Sequence, residues 1–111
     1  MESTRQQKIA RLIQKDLGVY FQQNSSLFDG AMVTVTKVYV TGDLSIAKAY
    51  LSLFATKDKH ALMDKIRQHA REVRRHLGQK ERYQLRVIPE LHFFEDDSLD
   101  YIDNLDTLLK T

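Results

Sequence analysis

The spacing of apolar positions divides the chain into alternating helical and extended segments. Apolar residues recur every three or four positions from Ile9 to Phe21, which is typical of one helical face. We therefore predict a helix over residues 4–23. Ser3 and Gln6 give it a capping-box start, in which each side chain satisfies a backbone N–H at the helix N-terminus.

Two strands are predicted after this helix, in a region dense in Val, Thr, Tyr and alternating Ala and Leu. Residues 24–30 contain turn formers and separate the helix from strands over 31–40 and 45–54. Gly42 lies between the strands, where a positive φ would close an antiparallel hairpin. Lys37 interrupts the alternation of the first strand, which indicates a β-bulge.

One continuous helix is predicted from Asp58, a suitable N-cap, to Gly78, a suitable residue just beyond the C-terminus. Its apolar residues fall on one narrow stripe suited to packing on a sheet, namely Leu62, Ile66, Ala70, Val73 and Leu77.

A third strand is predicted over residues 83–94, where Pro89 cannot donate a ladder hydrogen bond and so indicates a bulge or an edge strand. The segment from Ser98 has apolar residues at helical spacing and is predicted to form a short final helix. The order α-β-β-α-β predicts a two-layer α+β sandwich, with helices on one face of a small three-stranded sheet.

Composition limits the chain to one domain and narrows the chemistry available to it. Its 111 residues are 42% hydrophobic, which is enough for one core, and the chain contains no cysteine. Thiol catalysis, disulfides and zinc ribbons are excluded, and the lack of cysteine fits a reducing compartment, so we expect a cytoplasmic protein. The first residues lack a signal core, and no apolar run reaches the length of a membrane helix, so we expect no membrane association.

Charge is distributed unevenly, although the formal net charge is only +2. Residues 57–86 carry ten basic and four acidic side chains, whereas residues 87–111 carry one basic and seven acidic ones. This contrast predicts a polyanion-binding surface followed by an acidic tail with a different role.

The basic segment places several cations on the side of the predicted helix opposite the apolar stripe or just after it. We predict RNA-binding roles for Arg67, Arg71, Arg74, Arg75, Lys80 and Arg82, with Arg86 continuing the set. Guanidinium groups match phosphate oxygens as bidentate donors, and such contacts give salt-dependent affinity with little sequence information. The alternative is a solvated helix face without a ligand.

Other candidate chemistry is weak. His69 and His76 are about 10.5 Å apart along a helix axis, too far to share one metal ion. The acidic turn at 95–97 has no nucleophile or base beside it, and no phosphate-binding or nucleophile-elbow motif is present. The basic face of the first helix could lie on a membrane surface, although its apolar stripe fits the sheet better. Four aromatic residues could stack on RNA bases or pack in the core: Phe28, Tyr39, Tyr50 and Tyr83.

Three segments resemble the bacterial ribosome-binding factor A family. Residues 85–98, LRVIPELHFFEDDS, are similar to the family's LR-hydrophobic-PEL-x-F-x-x-D-x-S segment. Residues 33–52 resemble its hairpin, VTVTxVxVSxDLxxAKVYVS, and residues 5–22 resemble its first helix.

The resemblance implies a KH-like domain of the ribosomal type over residues 1–97, with residues 98–111 as an acidic tail. A standard KH domain clamps nucleotides with a G-x-x-G loop, but no two glycines of this chain stand three apart. The family uses a helix–kink–helix at an Ala-x-Gly sequence instead. Our alignment places it at residues 69–71, where Arg71 replaces the glycine, so we expect the kink to be weak or absent.

The resemblance also implies a function without catalysis or a cofactor. Members bind the free or precursor small (30S) ribosomal subunit, aid maturation of 16S rRNA and support growth in the cold. We expect a monomer whose partners are the small subunit, its 16S rRNA and ribosomal proteins. The alternatives are a general KH-like RNA-binding module and a protein-interaction domain that uses the open face of the sheet.

Overall fold

A computed structural model describes residues 3–96 of the chain. The elements are α1 (Thr4–Gln23), β1 (Met32–Val40), β2 (Ile46–Phe54), α2 (Lys59–Gln68), α3 (Ala70–Glu81) and β3 (Glu90–Glu95), with one 3-10 turn at Ser25–Phe28. The predicted α-β-β-α-β order is confirmed, except that two helices replace the second one. The final helix and the acidic tail predicted over 98–111 lie outside the described residues.

Helix α1 has the predicted bounds, and its capping box is formed. The Ser3 backbone N–H donates to Gln6 Oε1 at 2.8 Å, and the Gln6 N–H donates to Ser3 Oγ at 3.1 Å. The local sequence therefore fixes where this helix begins.

The sheet has the order β1-β2-β3, with β1 and β2 antiparallel and β2 and β3 parallel. Val35 pairs with Leu51 and Lys37 with Tyr50, so Thr36 is an extra residue and the predicted bulge is confirmed. Strand β3 is an edge strand, as the position of Pro89 directly before it indicated.

The turn between β1 and β2 differs from the prediction in one respect. Leu44, and not Gly42, adopts the left-handed conformation, with φ of 63°. The Leu44 N–H donates to Thr41 O at 2.8 Å, and the Asp43 carboxylate accepts from the Ser45 N–H at 3.1 Å. These bonds, together with packing of Leu44 against the core, hold a conformation that leucine rarely adopts.

The helices cover one face of the sheet, as predicted, with α1 against β1 and α2 and α3 against β3. Strand β2 directs alternate side chains into the core, namely Ala47, Ala49, Leu51 and Leu53. All of the predicted helical stripe is buried except Ala70, which is half-buried. Phe28 lies edge to face with Phe21, at a ring-centroid distance of 5.3 Å.

The prediction of one unbroken helix from Asp58 to Gly78 is wrong, because the helix breaks at His69. That residue has φ of −92° and ψ of 4°, and its N–H bonds to the carbonyl of Ile66, three residues earlier. Its Nδ1–H donates to Lys65 O at 2.8 Å, and its ring lies 5.4 Å from that of Phe28. The kink is therefore present with Arg71 following it, because the His69 side chain holds the break.

Two predicted boundaries are also wrong. Gly78 does not end the helix, because α3 continues to Glu81. The third strand begins at Glu90, not at residue 83, because residues 82–89 form a turn and an irregular segment ending in buried Pro89. The first ladder bond runs from the Glu90 N–H to Ser45 O at 2.9 Å, a donor that proline lacks.

Candidate nucleic-acid interface

An open groove of about 690 Å³ runs between α3 and the segment that leads to β3. We call it the arginine groove; it is lined by Arg71, Arg74, Arg75, Gly78, Gln79, Arg82 and Ile88. Four of the six predicted RNA-binding residues meet here, because positions 71, 74, 75 and 78 share one face of α3 and Arg82 follows one turn later. No acidic side chain among residues 3–96 lines the groove.

Gly78 explains how the two walls of the arginine groove come so close. A Cβ atom at this position would lie 3.3 Å from Ile88 Cγ1, which is tighter than most carbon contacts in proteins. Glycine therefore allows the segment before β3 to lie directly against α3.

Arg74 is held in place at the floor of the groove. Its Nε and Nη2 donate to the carbonyl of Ile88 at 3.2 and 2.8 Å. This bidentate bond restricts the side chain before any ligand arrives, which lowers the entropy lost on binding.

Arg82 is held by its neighbour, the strongly exposed Tyr83. Its Nη2 donates to the Tyr83 hydroxyl at 2.6 Å, and its guanidinium carbon lies 4.6 Å from the centre of the ring. Tyr83 is 85% exposed, so its ring is the one predicted stacking candidate that is almost entirely open to solvent.

Arg71 and Arg75 are exposed and have no hydrogen-bond or ion-pair partner within residues 3–96. Their guanidinium groups keep all of their donors available beside two other fixed guanidinium groups. A cluster of like charges without counter-charges attracts an anion, and planar donors match the oxygens of a phosphate.

Two predicted members of the site lie elsewhere. Lys80 Nζ is 3.3 Å from Oδ1 of the buried Asp16, which directs it towards α1. Arg67 donates from Nε and Nη2 to Phe93 O at 3.2 and 3.1 Å and lies 3.9 Å from Asp64. Of the six predicted side chains, four therefore line the arginine groove, and Arg67 and Lys80 lie outside it.

The aromatic residues predicted to stack on bases differ in their exposure and position. Phe28 is fully buried and cannot stack on a base, so the core alternative is correct for it. Tyr39, Tyr50 and Phe94 form a row across the open face of the sheet, with centroid distances of 6.0 and 5.4 Å. Phe94 was missed by sequence analysis, although the alternation along β3 places it opposite the buried Phe93.

Within residues 3–96, no three His, Cys, Asp or Glu side chains lie close enough together to hold a metal ion. The helices described by the structure include none with the length and apolar character needed to cross a membrane.

The fold and the arginine groove define a small α+β binding domain with a basic helix face. The chain belongs to the ribosome-binding factor A family, whose model matches residues 5–109. It is 42% identical over 110 residues to "Ribosome-binding factor A" of Cytophaga hutchinsonii, covering 98% of this chain and 83% of the relative. The family resemblance seen in the sequence is confirmed.

Solved structures agree on the fold. The crystal structure of ribosome-binding factor A from Thermus thermophilus matches with a TM-score of 0.65 and 20% identity, over 81% of this chain and 94% of that one. A homology model of the Thermus thermophilus protein, fitted into the cryo-EM map of a 30S–RbfA complex, matches with a TM-score of 0.60 and 18% identity, over 87% of this chain and 97% of that one. The predicted α+β fold class is confirmed.

Proposed function

We propose that this chain binds the free or precursor small ribosomal subunit by placing the arginine groove against phosphates of 16S rRNA. The observation that carries the proposal is the meeting of Arg71 and Arg75, both without partners among the described residues, with the two fixed side chains of Arg74 and Arg82. Family membership and the 30S complex of the Thermus thermophilus relative support the same partner.

The groove suits recognition by shape. Guanidinium groups bind phosphate oxygens, which position a protein on RNA without reading bases, and double-stranded RNA is recognised largely through its backbone. The spacing of four cations on one helix face then selects the spacing of phosphates that can meet them. The protein assists maturation of 16S rRNA by holding one arrangement of its backbone, which matters most in the cold, when misfolded RNA rearranges slowly.

The same proposal describes a monomeric cytoplasmic binding protein that performs no catalysis and needs no cofactor. Residues 98–111 carry three Asp and one Lys, so they would be repelled by rRNA. We place this acidic tail against a ribosomal protein, or over the basic face before the subunit is bound. Deleting it should raise affinity for nonspecific RNA, and unchanged affinity would argue against masking.

The test is co-sedimentation of the purified full chain with isolated small subunits and with assembled ribosomes. The double variant Arg71→Gln/Arg75→Gln removes the two free guanidinium groups, and Lys48→Gln/Lys57→Gln removes two exposed charges outside the groove. Two charge-assisted contacts should make binding of the groove variant roughly 10- to 100-fold weaker, with the control unchanged.

Three results would contradict the proposal in different ways. Equal loss in both variants would indicate nonspecific charge attraction. Binding to all RNA with no preference for small subunits would favour the general RNA-binding alternative. Loss only with Tyr50→Ser, which opens the aromatic row of the sheet, would favour the protein-interaction alternative.

A further inference from the structure

A second basic cleft lies on the other side of the segment that borders the arginine groove. This α1 cleft has a volume of about 700 Å³ and runs between α1, the turn at 43–45 and the segment 84–87. Five cations line it: Arg5, Lys8, Arg11, Lys15 and Arg86. Four of them, all but Arg86, form the basic face of the first helix.

Most cations of the α1 cleft are not neutralised by the fold, although Lys15 interacts electrostatically with the buried Glu81. All five cations are exposed, and none has a hydrogen-bond or ion-pair partner within the described part of the chain. Among residues 3–96, Asp43 is the one acidic residue that lines the cleft, and one of its oxygens accepts from Thr41 Oγ1 at 2.8 Å and Ser45 Oγ at 2.7 Å. Those bonds lower the pKa of Asp43, and the bond from the Ser45 side chain has the largest effect. The carboxylate is therefore engaged as a hydrogen-bond acceptor within the turn.

The lining of the cleft is apolar between these charges. It consists of Ile9, Leu12, Leu44, Leu85 and Val87. Val87 is 67% exposed, and Leu44 is half-buried although its backbone is in the left-handed conformation that disfavours leucine. The fold thus keeps two aliphatic side chains at an accessible surface surrounded by cations. The arginine groove, by contrast, has one apolar side chain among its described lining residues, Ile88.

An apolar surface with a cationic rim matches a nucleotide whose base is not paired. The rim can bind the phosphates while the base or ribose contacts the aliphatic side chains, whereas a duplex keeps its bases stacked inside. A lipid surface fits poorly, because the apolar face of α1 is buried against the sheet through Ile13, Leu17 and Phe21.

We propose that the α1 cleft binds a short unpaired stretch of RNA, an inference that rests on the proposed RNA-binding function and adds a second site to it. Arg82 and Ile88 border the arginine groove, and residues 84–87 border the α1 cleft. One segment of chain therefore separates a phosphate-binding surface from a surface that also accepts bases. The natural ligand of the pair is a junction between a duplex and a single strand.

The test is fluorescence anisotropy of the full chain with labelled hexauridylate, with a backbone-matched abasic hexamer and with a short RNA duplex. The cleft variant is Arg11→Gln/Arg86→Gln, the groove variant is Arg71→Gln/Arg75→Gln, and Lys48→Gln/Lys57→Gln is the matched control. We expect the cleft variant to lose about tenfold or more in hexauridylate affinity and to lower the salt slope by about 1.4. The groove variant should lose duplex binding instead.

Val87→Ser tests the apolar lining without changing charge. This substitution should lower the affinity for hexauridylate towards the affinity for the abasic hexamer. The affinity for the abasic hexamer itself should not change. Equal affinity of wild type for the two hexamers would overturn the base-contact claim.

Failure of this inference is distinguishable from failure of the proposed function. Hexauridylate binding that survives the cleft variant, while wild type still co-sediments with small subunits, would overturn the α1 site alone. If hexauridylate binding is lost in the cleft variant but wild type does not co-sediment with small subunits, the proposed function would be contradicted and the α1 site would stand. A synthetic peptide of residues 97–111 provides a further test. If this peptide binds wild type but not the cleft variant, and both proteins bind hexauridylate equally, the cleft binds an acidic peptide and the proposal is overturned.

Discussion

Two acidic side chains are buried together where α1 meets the end of α3. Asp16 is 3% exposed and Glu81 is 5% exposed, and Lys80 lies 3.3 Å from one oxygen of Asp16. With both carboxylates ionised neither can donate, and Asp16 Oδ2 and Glu81 Oε2 then have no hydrogen-bond partner among the described residues. A hydrogen bond from protonated Glu81 to Asp16, then burial, then the charge of Asp16 raise the pKa of Glu81 above its ordinary 4.5.

This raised pKa determines whether the stability of the fold rises or falls with pH. The folded state holds the Glu81 proton more tightly than the unfolded chain does, so the contribution to stability falls as pH rises from 4.5 through the raised pKa. Glu81→Gln supplies a permanent donor and removes one of two like charges. Since a hydrogen bond to a charged group contributes about 1.5–3 kcal/mol, we expect the variant to be more stable than wild type at pH 8 by about 1–3 kcal/mol.

Urea denaturation followed by circular dichroism at pH 4 to 8 measures this effect, and each kcal/mol should also raise Tm by about 4–8 °C. Glu72→Gln is the matched control, because Glu72 is an exposed glutamate on the same helix. Wild type and Glu72→Gln should lose stability with rising pH more steeply than Glu81→Gln. Parallel profiles for Glu81→Gln and wild type, or a less stable Glu81→Gln at pH 8, would refute the reasoning.

Three further predictions concern the kink, the core and the groove. His69→Ala removes a 2.8 Å bond to Lys65 O and a ring contact, so it should lower the free energy of unfolding by about 1–2 kcal/mol in urea titrations. Phe28→Ala deletes a fully buried ring and should cost about 3–5 kcal/mol by the same measurement; a cost below 1 kcal/mol would contradict its place in the core. Arg71→Gln/Arg75→Gln should reduce the slope of log affinity against log salt for duplex RNA by about 1.8, and an unchanged slope would show that neither side chain contacts phosphate.

Features that depend on neighbouring residues could be predicted from the sequence. The bounds of α1, its capping box and the bulge near Lys37 all arise from local hydrogen bonding or alternation, which the sequence displays directly. The α-β-β-α-β order follows from hydrophobic periodicity, whereas the parallel pairing of β3 with β2 was not predicted.

Features that depend on distant contacts could not be predicted in this way. The break at His69 is held by a ring contact with Phe28, some forty residues away, and its sequence otherwise fits a continuous helix. Lys80 has the right charge for the predicted site, but a buried acid on α1 directs it elsewhere. Helical periodicity placed the arginines on one face; it gave no sign of Ile88, which forms the opposite wall and fixes Arg74.

The central claim is that the arginine groove faces 16S rRNA on the small subunit, and a photo-crosslink tests it most directly. Gln79 is exposed and lines the groove, so a benzoylphenylalanine at this position lies among the four arginines. Thr34, exposed on β1, is the control position. On isolated small subunits, the account predicts crosslinks from position 79 to 16S rRNA and none to rRNA from position 34. Crosslinks to rRNA from position 34 alone, or from neither position on saturated subunits, would contradict it.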